Sequence, residues 1–101
     1  RRMKRFKYTL TKEDLFENII TDDRLILNHV VLEAGKQFPR HNTDAIVYMI
    51  VINGTITVKA LDLEATNFSK GDIIQVPFNV PSELSNLTDE IAELFVVKIK
   101  P

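Results

Sequence analysis

One histidine is the best candidate for chemistry in this chain of 101 residues. His41 lies in a short polar segment between Gly35 and a long apolar run, and the sequence has one other histidine and no cysteine. A catalytic transition metal needs about three imidazole, carboxylate or thiolate ligands, because these donors replace the water that the ion loses. A single imidazole therefore favours hydrogen bonding to a ligand over metal binding.

Residues around His41 and further along the chain recur at two characteristic spacings. The matching positions form two sets, Gly35, His41, Thr43, Val47, Gly54 and then Gly71, Pro77, Asn79, Ser82, Asn86. The spacings resemble the two motifs of small single-domain cupins, which have Gly, His, His, Glu, Gly in the first and Gly, Pro, Gly, His, Asn in the second. The resemblance extends from about Leu25 to Val97. It implies an all-β fold, the double-stranded β-helix or jelly-roll barrel of cupins.

The departures from these motifs fall mainly on the positions that bind metal in typical cupins. The turn-shaping positions are kept except at Asn79, and asparagine tolerates positive φ better than other residues with a side chain. Of the metal-ligand positions only His41 keeps the family residue, whereas Thr43, Val47 and Ser82 stand where His, Glu and His are typical. The resemblance therefore implies a cupin barrel whose metal centre has been dismantled, and we expect no cofactor.

Composition restricts the classes of protein to which the chain can belong. With 45% hydrophobic and 27% charged residues, its length suffices for one compact domain. The formal net charge of −1 gives no indication of a nucleic acid or an anionic membrane as partner. The basic segment 1–7 is interpreted as a solvated tail. Because no apolar signal core follows this tail and no stretch is apolar enough to span a bilayer, we expect a cytoplasmic protein.

Turn and strand signals predict the elements that must position these residues. Thr11 as N-cap and Asp14 in the first turn predict one short helix over 11–16, within an N-terminal arm and helix of residues 1–24. The pair Asn53-Gly54 predicts a type I′ hairpin. Strands of a barrel spanning residues 25–97 are predicted between turn signals over 24–35, 45–52, 55–61, near 61–65, and over 72–77, 82–86 and 91–100.

Alternation with period two assigns side chains to the two faces of these strands. By the family's register, the inward set comprises Ile26, Asn28, Val30, Leu32, Ala45, Val47, Met49, Val51, Leu94 and Val96. His29 points the other way and is interpreted as a surface or dimer-contact histidine. The segment 45–52 is apolar on both faces, so its outer face must be covered. We expect a homodimer through this face, with cover by the chain's own N-terminal segment as the alternative.

The inward positions predict a ligand-binding pocket inside the barrel. Its lining is predicted to comprise Asn28, His41, Thr43, Val47, Met49, Ser82 and Leu84. Few polar groups on an apolar wall are typical of small-molecule sites. Because no carboxylate or lysine is expected on this wall, the pattern favours a small neutral or mildly polar ligand. The alternative is that Thr43 or Ser82 merely satisfies the hydrogen bonds of His41 within a filled interior.

Three hypotheses about function follow. The first is a cupin that binds a small molecule and works as a dimer, with little or no catalysis. The second is a metal-dependent cupin enzyme of the dioxygenase, isomerase or decarboxylase type with non-standard ligands. The third is a dimeric interaction module that uses the basic N-terminus as an arm.

Overall fold

The described part of the chain forms β-strands and no helix. This computed structural model describes residues 1–41, 45–61 and 63–101, and for residues 39–41 it describes the backbone alone. The strands are β1 (Leu15–Thr21), β2 (Leu25–Leu32), β3 (Gln37–His41), β4 (Ile46–Asn53), β5 (Thr55–Ala60), β6 (Thr66–Ser69), β7 (Ile73–Val76), β8 (Ser82–Ser85) and β9 (Ala92–Ile99). The all-β prediction is confirmed.

The strands form two antiparallel sheets that enclose the core. One sheet has the order β1-β2-β9-β4-β7 and the other the order β3-β8-β5-β6. Inward side chains of both sheets make one apolar cluster that includes Val30, Val51, Ile56, Leu84 and Leu94. In β4 the predicted alternation is confirmed, since Val47, Met49 and Val51 are buried whereas their neighbours are more exposed. This arrangement is the double-stranded β-helix that the motif spacings implied.

The predicted N-terminal helix is wrong. Residues 11–14 form a bend, and β1 starts at Leu15 and pairs with β2. Thr11 Oγ1 accepts a hydrogen bond from the nearby Glu13 amide, as in a local turn. Asp14 Oδ1 accepts one from the Glu33 amide at 2.7 Å, and the Asp14 amide donates to Glu33 Oε2. Because a helix of six residues is marginal in water, these long-range contacts outweigh the local capping signal.

The predicted hairpin at Asn53-Gly54 is also wrong. Strand β4 pairs with β7 and β9, whereas β5 pairs with β6 and β8, so the turn is a corner at which the chain passes between sheets. A type I′ turn needs positive φ at both residues, and only Gly54 has it, at 70°. A Cβ atom at Gly54 would lie 2.2 Å from the carbonyl oxygen of Ile91. The glycine therefore permits close contact between the corner and the segment before β9.

Other turns of the barrel have the backbone conformation that the motif positions predict. Asn79 has φ of 57°, as expected where the family has glycine, and Gly35 and Gly71 also have positive φ. The strand predicted near residues 61–65 is misplaced, because β6 begins at Thr66. Leu61 has φ of 37°, and the Leu63 amide donates to the Ala60 carbonyl, so the chain turns there.

The side chain of Asn86, the last motif position, forms hydrogen bonds with several segments inside the protein. Its side chain is fully buried, and Nδ2 donates to the carbonyl oxygens of Leu32 at 2.9 Å and Glu90 at 2.7 Å. Its Oδ1 accepts from the amide and the hydroxyl of Thr88. Both polar atoms are thus satisfied, and the end of β2 is connected to the loop between β8 and β9.

Replacing Gly54 by alanine should destabilise the fold more than the same change at Gly35. Both residues have positive φ, which costs a residue with a side chain about 1–2 kcal/mol. A Cβ at Gly35 meets nothing within 4 Å, whereas one at Gly54 meets backbone atoms. We expect Gly35→Ala to cost about 1–2 kcal/mol and Gly54→Ala at least about 1 kcal/mol more, measured by urea unfolding. Equal losses in the two variants would contradict the close approach.

Candidate functional site

An internal cavity lies between the two sheets at one end of the barrel. Its volume is about 50 Å³. Its described lining consists of Phe16, Asn28, Val30, Phe38, Val47, Met49, Val76, Ser82, Leu84, Val96 and Lys98. Five of the seven predicted pocket residues therefore meet around one space, namely Asn28, Val47, Met49, Ser82 and Leu84.

The remaining two predicted residues are His41 and Thr43. The backbone of His41 pairs with Ser82 across the β3–β8 ladder, so His41 belongs to the end of the barrel that carries the cavity. Its side chain lies outside what the structure describes, and so does the whole of Thr43. Their place in the pocket stays a prediction.

The orientation of the Asn28 amide is fixed by a neighbouring asparagine on β1. Asn18 Nδ2 donates to the Ile20 carbonyl at 3.1 Å and to Asn28 Oδ1 at 3.0 Å, and Thr21 Oγ1 donates to Asn18 Oδ1. Asn28 must therefore accept through its oxygen, which leaves Nδ2 as a donor. Among the described residues, no fully buried side-chain nitrogen lacks a partner, and none of them accepts from Asn28 Nδ2. Because Asn28 lines the cavity, this nitrogen is a candidate donor for a ligand there.

The sequence patterns did not predict that a lysine and two phenylalanines line the cavity. Lys98 follows Leu94 and Val96 at the same period on β9, so alternation could have placed it inside. The premise that no lysine faces inward was wrong. Phe16 lies on β1, where a helix was predicted, and its ring meets that of Phe38 edge-on at 5.4 Å between centroids. Both rings belong to the apolar part of the cavity lining.

Comparison with known proteins agrees with this architecture. The sequence model of the cupin domain matches residues 28–98. The chain belongs to the cupin family. An uncharacterized protein of Methanocaldococcus jannaschii is 37% identical over 87 residues, which cover 86% of this chain and 75% of that protein. A crystal structure of an RmlC-like cupin family protein with a double-stranded β-helix fold, from the same organism, superimposes with a TM-score of 0.93 at 33% identity. The match covers 97% of this chain and 91% of that structure.

More distant structures share the cupin fold alone. A conserved protein of unknown function from Streptococcus pyogenes has a TM-score of 0.79 at 20% identity, over 91% of this cupin and 78% of that chain. The cupin domain of Cnp3 from Schizosaccharomyces pombe has a TM-score of 0.78 at 17% identity, over 85% and 64% of the two chains.

The described residues of this cupin do not fit the metal centre that the family implies. Val47 and Ser82 occupy two of the family's ligand positions and both line the cavity. Val47 has no donor atom, and a neutral hydroxyl is a poor ligand for zinc, iron, manganese or nickel. Among the residues that the structure describes, no group of three His, Cys, Asp or Glu side chains is placed to hold an ion. We derive no chemical step through a metal.

His29, the other histidine of this cupin, lies on the outer face of the five-stranded sheet but is fully buried. Its interpretation as a surface histidine is wrong, because the ring of Tyr8 from the N-terminal arm packs on it at 4.9 Å between centroids. Its Nδ1 lies 2.8 Å from Glu17 Oε2, and its Nε2 lies 2.6 Å from Glu93 Oε2. Only an imidazolium donates from both nitrogens, so this geometry fits a charged histidine between two carboxylates.

Glu17 connects this ion pair to the N-terminal arm. The Thr9 amide donates to Glu17 Oε2 at 2.8 Å, and the Thr9 hydroxyl donates to Oε1 at 2.9 Å. The Thr9 amide and then His29 lower the pKa of Glu17 below its ordinary value of 4.5, because both stabilise the charged carboxylate. The arm is thus attached to the barrel by hydrogen bonds to an ionised side chain.

A larger open groove of about 1060 Å³ lies between the arm and the corner at Gly54. Its lining includes Leu10, Lys12, Asp89 and Glu90. These side chains belong to loops and the arm, whereas the barrel cavity is lined by five of the seven predicted site residues. We therefore take the barrel cavity as the candidate site. None of the described residues forms a helix long and apolar enough to cross a membrane.

Replacing Glu17 by glutamine should make the Tm vary less with pH in the acid range. A lowered folded-state pKa means that the carboxylate stabilises the fold above the unfolded value of about 4.5. That stabilisation is lost as the pH falls through the still lower folded value. We expect the variant to have a lower Tm than the wild type at pH 7, and the difference to shrink between pH 5 and pH 3, in thermal scans followed by circular dichroism. A difference that stays constant with pH would exclude this role.

Proposed function

We propose that this cupin binds a small molecule inside its barrel and that the family's metal centre has been dismantled in it. The observation that supports the proposal is the convergence of Asn28 and Ser82 on an enclosed space with an otherwise largely apolar wall. Preformed cavities with a few polar groups are the usual form of small-molecule sites. The donor chemistry of Val47 and Ser82 supports the loss of metal binding.

The size of the cavity limits the ligand. One water occupies roughly 10–15 Å³ on the same measure of volume, so about 50 Å³ accommodates a group of about three to five non-hydrogen atoms. A ligand that is much larger does not fit within this volume. The proposal is therefore of a small ligand, or of a small group at the end of a larger one.

Ser82→Leu should abolish ligand binding without loss of the fold. The added carbon atoms fill the cavity, and overpacking of this kind costs about 1–3 kcal/mol. A thermal-shift screen of small metabolites should find compounds that raise the Tm of the wild-type protein but not that of the variant. Ser85→Leu is the matched control, because Ser85 lies on the same strand and points to the opposite face from Leu84. Its Tm should rise with ligand as in the wild type.

Two results would overturn the proposal. The first is a broad screen in which no compound raises the Tm of the wild-type protein. The second is a stoichiometric transition metal in protein purified from metal-supplemented medium, measured by elemental analysis, which would contradict the dismantled centre.

We propose further that the protein works as a homodimer through the outer face of its five-stranded sheet. Tyr8 covers the part of this face at His29 and Phe95, so the chain's own arm provides partial cover. On β4 and β7, Ile46 and Ile73 remain 38% and 66% exposed. An apolar surface of this kind is matched by the identical surface of a second copy about a two-fold axis.

Ile73→Lys should dissociate this dimer. Each dimer would lose two buried isoleucines, about 3 kcal/mol in total, which weakens association by roughly 100-fold. Light scattering after size exclusion should give a dimer mass for the wild type and 11.6 kDa for the variant. Leu87→Lys, at a site that is 73% exposed in the loop after β8, should remain dimeric. A monomeric wild-type protein would exclude the dimer.

A further inference from the structure

Each polar side chain in the described lining of the barrel cavity can donate hydrogen bonds. Asn28 Nδ2 is held as a donor, because its amide oxygen is occupied by Asn18. Lys98 carries three N–H donors and no acceptor, and the Ser82 hydroxyl can donate as well. A ligand group that suits these partners must accept several hydrogen bonds at once.

The register of the strands places these donors close together. Asn28 pairs with Val96 and Lys98 follows two residues later on β9, so Asn28 and Lys98 are diagonal neighbours on the inner face. Diagonal neighbours in an antiparallel pair are about 7–8 Å apart, within reach of a long side chain. Lys98 also pairs with Val47 on β4. Its aliphatic stem therefore lies against apolar wall, and its ammonium can turn towards the amide of Asn28.

The charge of the described lining is positive. Lys98 is its one charged member, and no aspartate or glutamate is among those residues, although the chain contains 14 acidic residues in all. A half-buried ammonium attracts an anion more strongly than an exposed one, because water screens it less. Hydrogen bonds to charged groups contribute about 1.5–3 kcal/mol each, which is more than neutral pairs contribute.

We propose that the ligand bound in this cavity carries a carboxylate, which Lys98, Asn28 and Ser82 hold, with a short apolar part against Met49 and Phe38. This inference rests on the proposed small-molecule site and adds the chemical class of its ligand. A carboxylate has two oxygens that accept several hydrogen bonds, and a monocarboxylic acid of three to five non-hydrogen atoms matches the volume. The expectation of a neutral ligand depended on an inner wall without lysine, which Lys98 contradicts.

The two methionines of the chain provide a direct test of where and what the protein binds. Met49 lines the cavity, whereas Met3 lies in the arm and is 98% exposed. In protein labelled with ¹³C-methyl methionine, we expect titration with acetate or propionate at pH 7 and constant ionic strength to shift the Met49 signal in a saturable way. The Met3 signal should not move. Acetamide and propionamide, which have the same shapes without charge, should bind about 10-fold more weakly or worse.

Lys98→Gln provides the matching change in the protein. We expect it to weaken carboxylate binding by about 10- to 100-fold and to reduce the preference for acid over amide. Lys70→Gln removes one positive charge from an exposed turn and should leave binding unchanged. The Met49 signal of the free variant reports whether the cavity is still formed.

The outcomes separate this inference from the proposed function. Amides that bind as tightly as acids, acids that leave Met49 unmoved, or carboxylate binding that Lys98→Gln leaves unchanged would each overturn the carboxylate assignment. The small-molecule site itself would still stand if the thermal screen finds ligands that Ser82→Leu cannot bind.

Discussion

The register of strand β9 with its two neighbours decides which side chains meet inside the barrel. Strand β9 lies between β2 and β4, and continuous antiparallel pairing sets Val96 opposite both Asn28 and Met49. A shift by one residue would turn Leu94, Val96 and Lys98 out of the barrel, because side chains alternate between faces. The burial of Ala92 and Leu94, both 0% exposed, opposes such a shift. The apolar core therefore fixes the position of the polar site.

Buried polar side chains fall into two classes. In one class every polar atom is hydrogen-bonded within the protein, and in the other one polar atom has no partner among the described residues. Asn86 uses both polar atoms within the protein, and each ring nitrogen of His29 has a carboxylate partner. Such satisfied groups connect segments, and their removal leaves partners unpaired at a cost of about 1–3 kcal/mol each. Asn28 is different, because its oxygen accepts from Asn18 while no described residue accepts from its nitrogen. A residue that is held at one atom and available at the other is well suited to bind a ligand.

His29 supports the fold in a way that its position in the sequence does not indicate, because it lies away from the motifs and on the outer face of β2. It is the centre of an ion pair that joins β1, β2 and β9 and supports the N-terminal arm. Burial of this polar ring is tolerated because carboxylates lie at both ring nitrogens, while the rings of Tyr8 and Phe95 pack against it. The arm is thereby attached to the barrel at Tyr8 and Thr9, whereas residues 1–7 are exposed.

The sequence by itself indicated the fold family through the resemblance of its motif spacings to those of cupins. It also determined the motif turns with positive φ and the inner faces of β2 and β4, because these depend on local chemistry, namely glycine or asparagine at a turn and alternation along a strand. Only the tertiary structure decided the state of residues 11–16, the partners of β4 and β5 and the surroundings of His29. Each of these depends on contacts between residues far apart in the chain, such as Asp14 with Glu33 or Gly54 with Ile91, whose energies exceed the local preferences.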